Sequence, residues 1–303
     1  MISLIVVILV AAGAFWLWTP DKPLAELESL YFSSDSEYRE VLGVRLHIRD
    51  TGPKDARAML LLHGFGSSLH TWEGWAQELD KRFRVIRLDL PGSGLSSPDP
   101  SGDYSDQRTL QILSTLLEQL GIASTAVAGN SIGGRMAWKM GALHPERVSA
   151  LILVSPDGYA SEGFEYGKAP QVSAVTGLMR YVLPKSLLEM SLAPAYGDPE
   201  KLRSAVVDRY YDLMLAPDSR QAQIQRMEQT ILVDPEPLLA DISVPVLLLW
   251  GEEDGVIPIS NAEDYLGVLP DARLVSLPGL GHVPQEEDPG ASARPVREFL
   301  QGL

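Results

Sequence analysis

Gly129-Asn130-Ser131-Ile132-Gly133 is the stretch whose reading decides the fold. A short apolar run, Thr125-Ala126-Val127-Ala128, precedes it, and a helical pattern, Arg135-Met136-Ala137-Trp138-Lys139-Met140, follows. Strand, sharp turn and helix around Gly-x-Ser-x-Gly hold a serine hydroxyl exposed at the apex. The flanking glycines answer a steric need, because side chains there would collide as strand and helix converge. The helix behind the serine aims its N-terminal N–H groups and dipole at any oxyanion that forms beside the hydroxyl. A serine that merely capped a helix would not require glycines at 129, 133 and 134.

The alternation repeats outward from this point. Ala58–Leu62, Arg84–Leu88, Ala150–Val154 and Val246–Trp250 are further short, mostly apolar runs, and helical patterns over Ser68–Lys81, Asp106–Leu120 and Ser131–His144 separate most of them. Near-continuous apolar strands interleaved with helices predict a parallel sheet covered on both faces. Gly43–Arg49 alternates instead and predicts an early antiparallel strand, while Arg273–Leu277 predicts the last strand. The interval 155–245 has no convincing strand and carries helical patterns at Val172–Val182, Pro199–Leu215 and Arg220–Leu232. It is too long for a plain loop, so it reads as a helical cap over the C-terminal edge of the sheet. The organisation that follows is an apolar segment at 1–18, a polar linker at 19–37, a core at 38–156 and 236–303, and a cap at 157–235.

Composition narrows the partners. Lys and Arg number 25 against 40 Asp and Glu, a net charge of −15 that argues against nucleic acid and against attraction to anionic headgroups. The chain has no cysteine, which excludes disulfides, thiolate metal sites and a cysteine nucleophile. Ile2 to Trp18 carries no charge, and its only polar side chain is Ser3. As a helix it would reach roughly 25 Å, slightly short of a bilayer core of about 30 Å. Trp16 and Trp18 suit an interfacial aromatic belt, so the segment reads as a single-pass N-terminal membrane anchor. The rival reading is a signal peptide cleaved near Ala12-Gly13-Ala14, giving a secreted or periplasmic protein. No Lys or Arg precedes the apolar run, which weighs against it. Oligomeric state is left open.

Three segments fall where a hydrolytic serine needs partners. Trp250-Gly251-Glu252-Glu253-Asp254 places an acid just past a strand, and Gly279-Leu280-Gly281-His282 places the only C-terminal histidine in a glycine-bounded loop. His63-Gly64-Phe65-Gly66-Ser67 forms a flexible turn after an early strand. Together with Asp89-x-Pro91-Gly92-x-Gly94-x-Ser96 and Gly281-His282-x-Pro284-x-x-Glu287-x-Pro289, these motifs in this order resemble the α/β-hydrolase superfamily from about residue 38 to the end. The resemblance implies an α/β fold with a mostly parallel eight-stranded sheet, helices on both faces and a helical cap. It implies Ser131 as nucleophile, His282 as general base, Asp254 as the acid that orients it, and backbone N–H groups of Phe65 and Ile132 as oxyanion hole. Neither cofactor nor metal is needed for such chemistry.

Other residues compete for these roles. Asp157, at the end of the strand Ala150–Val154, is the rival acid, and Asp254 has a bland reading as a cap for the helix near Pro258. His63 reads as a support for the oxyanion turn, and His47, His70 and His144 as structural. Gly64-x-Gly66 and Gly92-x-Gly94 lack the third glycine of a dinucleotide fingerprint. A serine at the elbow excludes the aspartate-nucleophile mechanism of haloalkane dehalogenases and epoxide hydrolases. Gly-Asn-Ser-Ile-Gly-Gly resembles carbon–carbon hydrolases of meta-cleavage pathways, although those carry an aromatic residue after the histidine and this chain has Val283-Pro284. With the apolar N-terminus, the whole resembles membrane-bound monoacylglycerol lipases and implies a small hydrophobic ester as substrate. Leu178, Met179, Val182, Leu183, Leu187, Leu188, Met190 and Leu192 of the cap either line an acyl tunnel or pack it onto the sheet. A ligand-binding protein of the same fold with little turnover is the alternative from another class.

Overall fold

The computed structural model describes residues 17–161 and 165–303. Eight strands form one sheet: β1 Ser36–Val41, β2 Val44–Thr51, β3 Ala58–Leu62, β4 Arg84–Leu88, β5 Thr125–Ser131, β6 Val148–Pro156, β7 Val246–Gly251 and β8 Ala272–Leu277. Their spatial order is β1-β2-β4-β3-β5-β6-β7-β8. Only β1–β2 and β2–β4 pair antiparallel, and the remaining pairs are parallel.

The apolar strand runs are continuous because successive residues feed opposite cores. Leu60 and Leu62 of β3, with Leu151 and Leu153 of β6, belong to one core with helices Asp106–Gln119 and Ile132–Leu143. Met59 and Leu61, with Ile152 and Val154, belong to the other core with helices Glu73–Leu79 and Pro289–Gln301. Each wholly buried aliphatic side chain contributes about 1.5–3 kcal/mol, so a single strand stabilises both layers. The parallel strands end along one edge, and that edge carries the His63 turn, the Ser131 elbow, Asp157, Asp254 and the His282 loop in succession.

Residues 155–245 contain helices, chiefly Lys185–Leu192, Ser204–Met214 and Ser219–Gln229. The pattern at Val172–Val182 is broken into two short turns, Ala174–Gly177 and Leu178–Arg180. The stretch 19–37 is not a bare linker: it holds a helix, Leu24–Tyr31, and the first residues of β1. Leu27 explains the difference, since it is fully buried against Leu95, Leu213 and Ala216 in contacts that the polar local sequence conceals. The segment Ile2–Trp18 lies outside the described residues except for Leu17 and Trp18. Among the described residues, no helix is long and apolar enough to cross a membrane.

Candidate active site

Ser131 ends β5 and immediately precedes helix Ile132–Leu143, with φ 57° and ψ −121°. A positive φ on a residue that carries a side chain is strained, and here it turns a half-buried hydroxyl outward from the strand end. The turn is possible only with bare backbone around it. A Cβ on Gly129 would lie 2.1 Å from the Gly133 carbonyl oxygen, and one on Gly133 would lie 2.3 Å from that of Leu62.

His282 follows β8 and Asp254 follows β7. The imidazole Nδ1 donates to Asp254 Oδ2 at 2.8 Å, and both side chains are buried. The other carboxylate oxygen of Asp254 accepts the N–H groups of Val256 and Ile257, each at 2.8 Å. Asp254 thus closes the turn that follows it with the oxygen His282 does not use, but it does not cap the helix expected near Pro258, which begins at Asn261 with Ser260 at its N-cap. With Nδ1 donating to the carboxylate, Nε2 is the unprotonated nitrogen of the neutral ring. Asp157 pairs instead with Arg135, and its backbone N–H donates to the Ser131 carbonyl at 3.0 Å. Glu252 and Glu253 are exposed.

Two residues without an assigned role in the sequence reading hold this arrangement. Asn130, buried beside the serine, donates from Nδ2 to the His282 carbonyl at 2.8 Å and to that of Val154 at 3.2 Å. Glu287 accepts the N–H groups of Gly281 at 2.8 Å, Gly197 at 3.1 Å and Asp198 at 3.0 Å. It thereby braces the histidine loop and ties it to the cap. The same cap segment also accepts two hydrogen bonds: Gly255 N–H reaches the Pro194 carbonyl and Val283 N–H reaches that of Ala195. The signal for Glu287 was visible as a carboxylate five residues past the histidine, but its partners come from the cap and only the fold supplies them.

The His63 turn packs directly against the elbow, since a Cβ on Gly64 would stand 3.3 Å from Ser131 Cβ. His63 Nε2 accepts the Leu90 N–H at 3.0 Å while Nδ1 contacts the Gly64 carbonyl at 2.7 Å. Burial lowers its pKa, so the ring stays neutral and fixes the turn. Phe65 N–H is not used by the turn's own hydrogen bonds among the described residues, and the N–H of Ile132, first in its helix, has no acceptor within that helix. His47 is buried and paired with Asp89, whose carboxylate also accepts the N–H groups of Leu69 and Leu95.

Ser131 opens onto two cavities. One, of about 330 Å³, also contains His282, the turn Gly64-Phe65-Gly66, and apolar cap residues including Met179, Leu188, Leu192 and Met214. The second, of about 280 Å³, is lined by Ser131, Arg135, Asp157 and Arg226 among others. Of the cap residues considered for a tunnel, Met179, Leu188 and Leu192 face the first cavity. Leu183 packs against Met214 and Leu215, and Leu178, Leu187 and Met190 are exposed.

Comparison with known proteins adds four findings. The family model described as alpha/beta hydrolase fold matches residues 57–289. The chain is 28% identical over 287 residues to an uncharacterised protein of Mycobacterium tuberculosis, covering 87% of this chain and 80% of that one. It is 26% identical over 268 residues to a 2-hydroxy-6-oxononadienedioate/2-hydroxy-6-oxononatrienedioate hydrolase of Cupriavidus pinatubonensis, covering 84% and 90% respectively. Among solved structures, a bacterial membrane phospholipase A superposes with a TM-score of 0.78 at 27% identity, covering 99% of this chain and 97% of that one.

Proposed function

The chain belongs to the α/β-hydrolase family, and on that footing we propose that it is a serine hydrolase cleaving carboxylic esters through an acyl-enzyme on Ser131. The substrates are lipid-like or medium-chain acyl esters, monoacylglycerols among them. The observation that carries this reading is the cavity that Ser131 and the Asp254-bonded His282 line together beneath apolar walls.

The reaction runs as two acyl transfers. Ser131 Oγ attacks the ester carbonyl carbon as its proton passes to His282 Nε2, and the carbonyl oxygen becomes an oxyanion. The N–H groups of Phe65 and Ile132 receive that charge, each such donor contributing ~10²–10³ in turnover. The imidazolium, steadied by Asp254, gives its proton to the departing alkoxide as the carbon–oxygen bond breaks. Water then attacks the acyl-enzyme with His282 again accepting the proton, and collapse returns the proton to Ser131 and frees the acid.

Surface features support lipid substrates and an anchor at Ile2–Trp18. Trp18 is 55% exposed and stacks on Tyr181 of the cap at 5.9 Å. Thr19 N–H donates to the Tyr181 carbonyl, so the chain leaving the apolar segment is fastened to the cap. Val175, Leu178, Leu187 and Met190 are exposed on the same cap. The likeness to a membrane phospholipase A, which extends over nearly the whole chain, points the same way. Cleavage of the segment as a signal peptide would instead leave the protein soluble in carbonate-washed fractions with a new N-terminus.

The relative that hydrolyses 2-hydroxy-6-oxononadienedioate supports a second reading, carbon–carbon bond hydrolysis by the same serine. A turnover panel of a monoacylglycerol, a short aryl ester and a vinylogous diketone acid separates the two. Ser131→Ala is expected to lose ester hydrolysis and fluorophosphonate labelling with unchanged far-UV dichroism. Retained turnover in that variant refutes the proposal.

A further inference from the structure

We propose that Arg226 recognises an anionic group of the substrate, a carboxylate or a phosphate, in the second cavity beside Ser131. This rests on the ester-hydrolase reading and specifies its substrate class.

Arg226 is only 5% exposed, yet no carboxylate pairs with it among the described residues. Its one hydrogen bond there runs from Nη2 to the Pro91 carbonyl at 2.7 Å, and its buried Nε has no partner. The Tyr104 ring lies 5.2 Å from the guanidinium carbon, and Asp106, which acts on Arg226 only through space, is already paired with Arg135 and Lys139. The other guanidinium of this cavity, Arg135, is handled differently: Asp157 and Asp106 neutralise it. A buried cation without a counter-ion is costly, and the fold here tolerates one beside its nucleophile while pairing its neighbour. Burial pushes its pKa down to about 10, which leaves it charged at neutral pH.

The unused donors suit an oxyanion. A guanidinium presents its N–H groups as a planar fork that matches carboxylate or phosphate, and such charge-assisted bonds are stronger than neutral ones. Ser161 and Thr230 line the same cavity, and Phe65, Met227 and Ile257 give it apolar walls for a connecting carbon chain. A substrate seated this way reaches Ser131 with its carbonyl while its charged end supplies the counter-ion that the protein omits.

Two substrate pairs test the assignment and separate the sources of the anion. The first is 4-nitrophenyl pentanoate against 4-nitrophenyl hydrogen glutarate, which carries a carboxylate on the acyl side. The second is a monoacylglycerol against its phosphate monoester, with the charge on the alcohol side. The wild type is expected to favour the charged member of one pair in kcat/KM. Arg226→Met is expected to lower that charged-to-neutral ratio ~10- to 100-fold, and Arg226→Lys to lower it less. If Arg226→Met does not fold, Arg226→Lys carries the comparison. No preference in either wild-type pair, or an equal loss on both members in the variants, overturns the assignment and leaves Arg226 as a clamp on the Pro91 loop. Glutarate or glycerol phosphate is also expected to raise the melting temperature of Ser131→Ala, and not of Ser131→Ala with Arg226→Met. Anion binding that depends on Arg226, in a protein that turns over no ester, would sink the ester-hydrolase reading and keep the subsite. Ester turnover without such binding or preference would do the reverse.

Discussion

Replacing Asp254 with asparagine isolates what the carboxylate contributes. Its two oxygens face different demands: one accepts two backbone N–H groups and the other accepts His282 Nδ1, all at 2.8 Å. An amide fits this site in one orientation only. Its oxygen must stay on Val256 and Ile257, because an NH₂ there would confront two donors. The NH₂ then points at His282 Nδ1, which must become an acceptor, and the ring proton shifts to Nε2. A protonated Nε2 cannot take the proton of Ser131. The loss expected from such tautomer reversal is ~10⁴ in kcat, equivalent to about 5 kcal/mol of transition-state stabilisation. Because shape and two hydrogen bonds survive unchanged and the third is kept with its direction reversed, stability should change by no more than about 1 kcal/mol. Steady-state hydrolysis of a 4-nitrophenyl ester, with the rate of fluorophosphonate labelling beside it, measures the effect. Activity within tenfold of wild type would refute the reasoning. So would a larger loss in Asp157→Asn, whose carboxylate pairs with Arg135 instead.

Two further predictions concern support and pH. In Glu287→Gln one amide orientation or the other sets NH₂ against a backbone donor, since both oxygens accept N–H groups. Unfolding in urea should register a loss of about 1–3 kcal/mol, with kcat reduced as the His282 loop loosens; unchanged kcat and stability would count against the bracing role. His70 is held down to about 3 by burial, partly offset by Asp89. Below a pH of about 6.5 the unfolded chain therefore binds a proton at this ring that the folded chain refuses, and stability falls as pH falls towards 3. The slope due to one such ring is about 1.4 kcal/mol per pH unit, so His70→Gln should flatten the dependence of unfolding free energy between pH 6 and 4.5 by that amount. An unaltered slope would show that the ring titrates freely in the folded state.

The core strands were legible because each announces itself twice, by apolar content and by the glycine or acid at its end. Ala58–Leu62 and Arg84–Leu88 match β3 and β4 residue for residue. Gly129 and Gly133 were readable as steric requirements because their constraint is local to the elbow. What stayed hidden depends on distant surfaces. Helix Leu24–Tyr31 is amphipathic over too few turns to stand out, and Leu27 gains its burial from Leu95, Leu213 and Ala216, all far along the chain. Asn130 and Glu287 act on the histidine loop through backbone atoms, which no side-chain motif reveals. Arg226 is conspicuous only through the carboxylate it lacks, and a missing partner leaves no mark in a sequence.

The stitching of the cap at Pro194–Asp198 limits how substrate can arrive. That ribbon is laced to the turn after Asp254, to Val283 in the loop beside His282 and to the carboxylate at 287. Were this corner to swing aside as a hatch, it would draw His282 away from Asp254. A path for substrate that leaves this corner in place would keep His282 against Asp254.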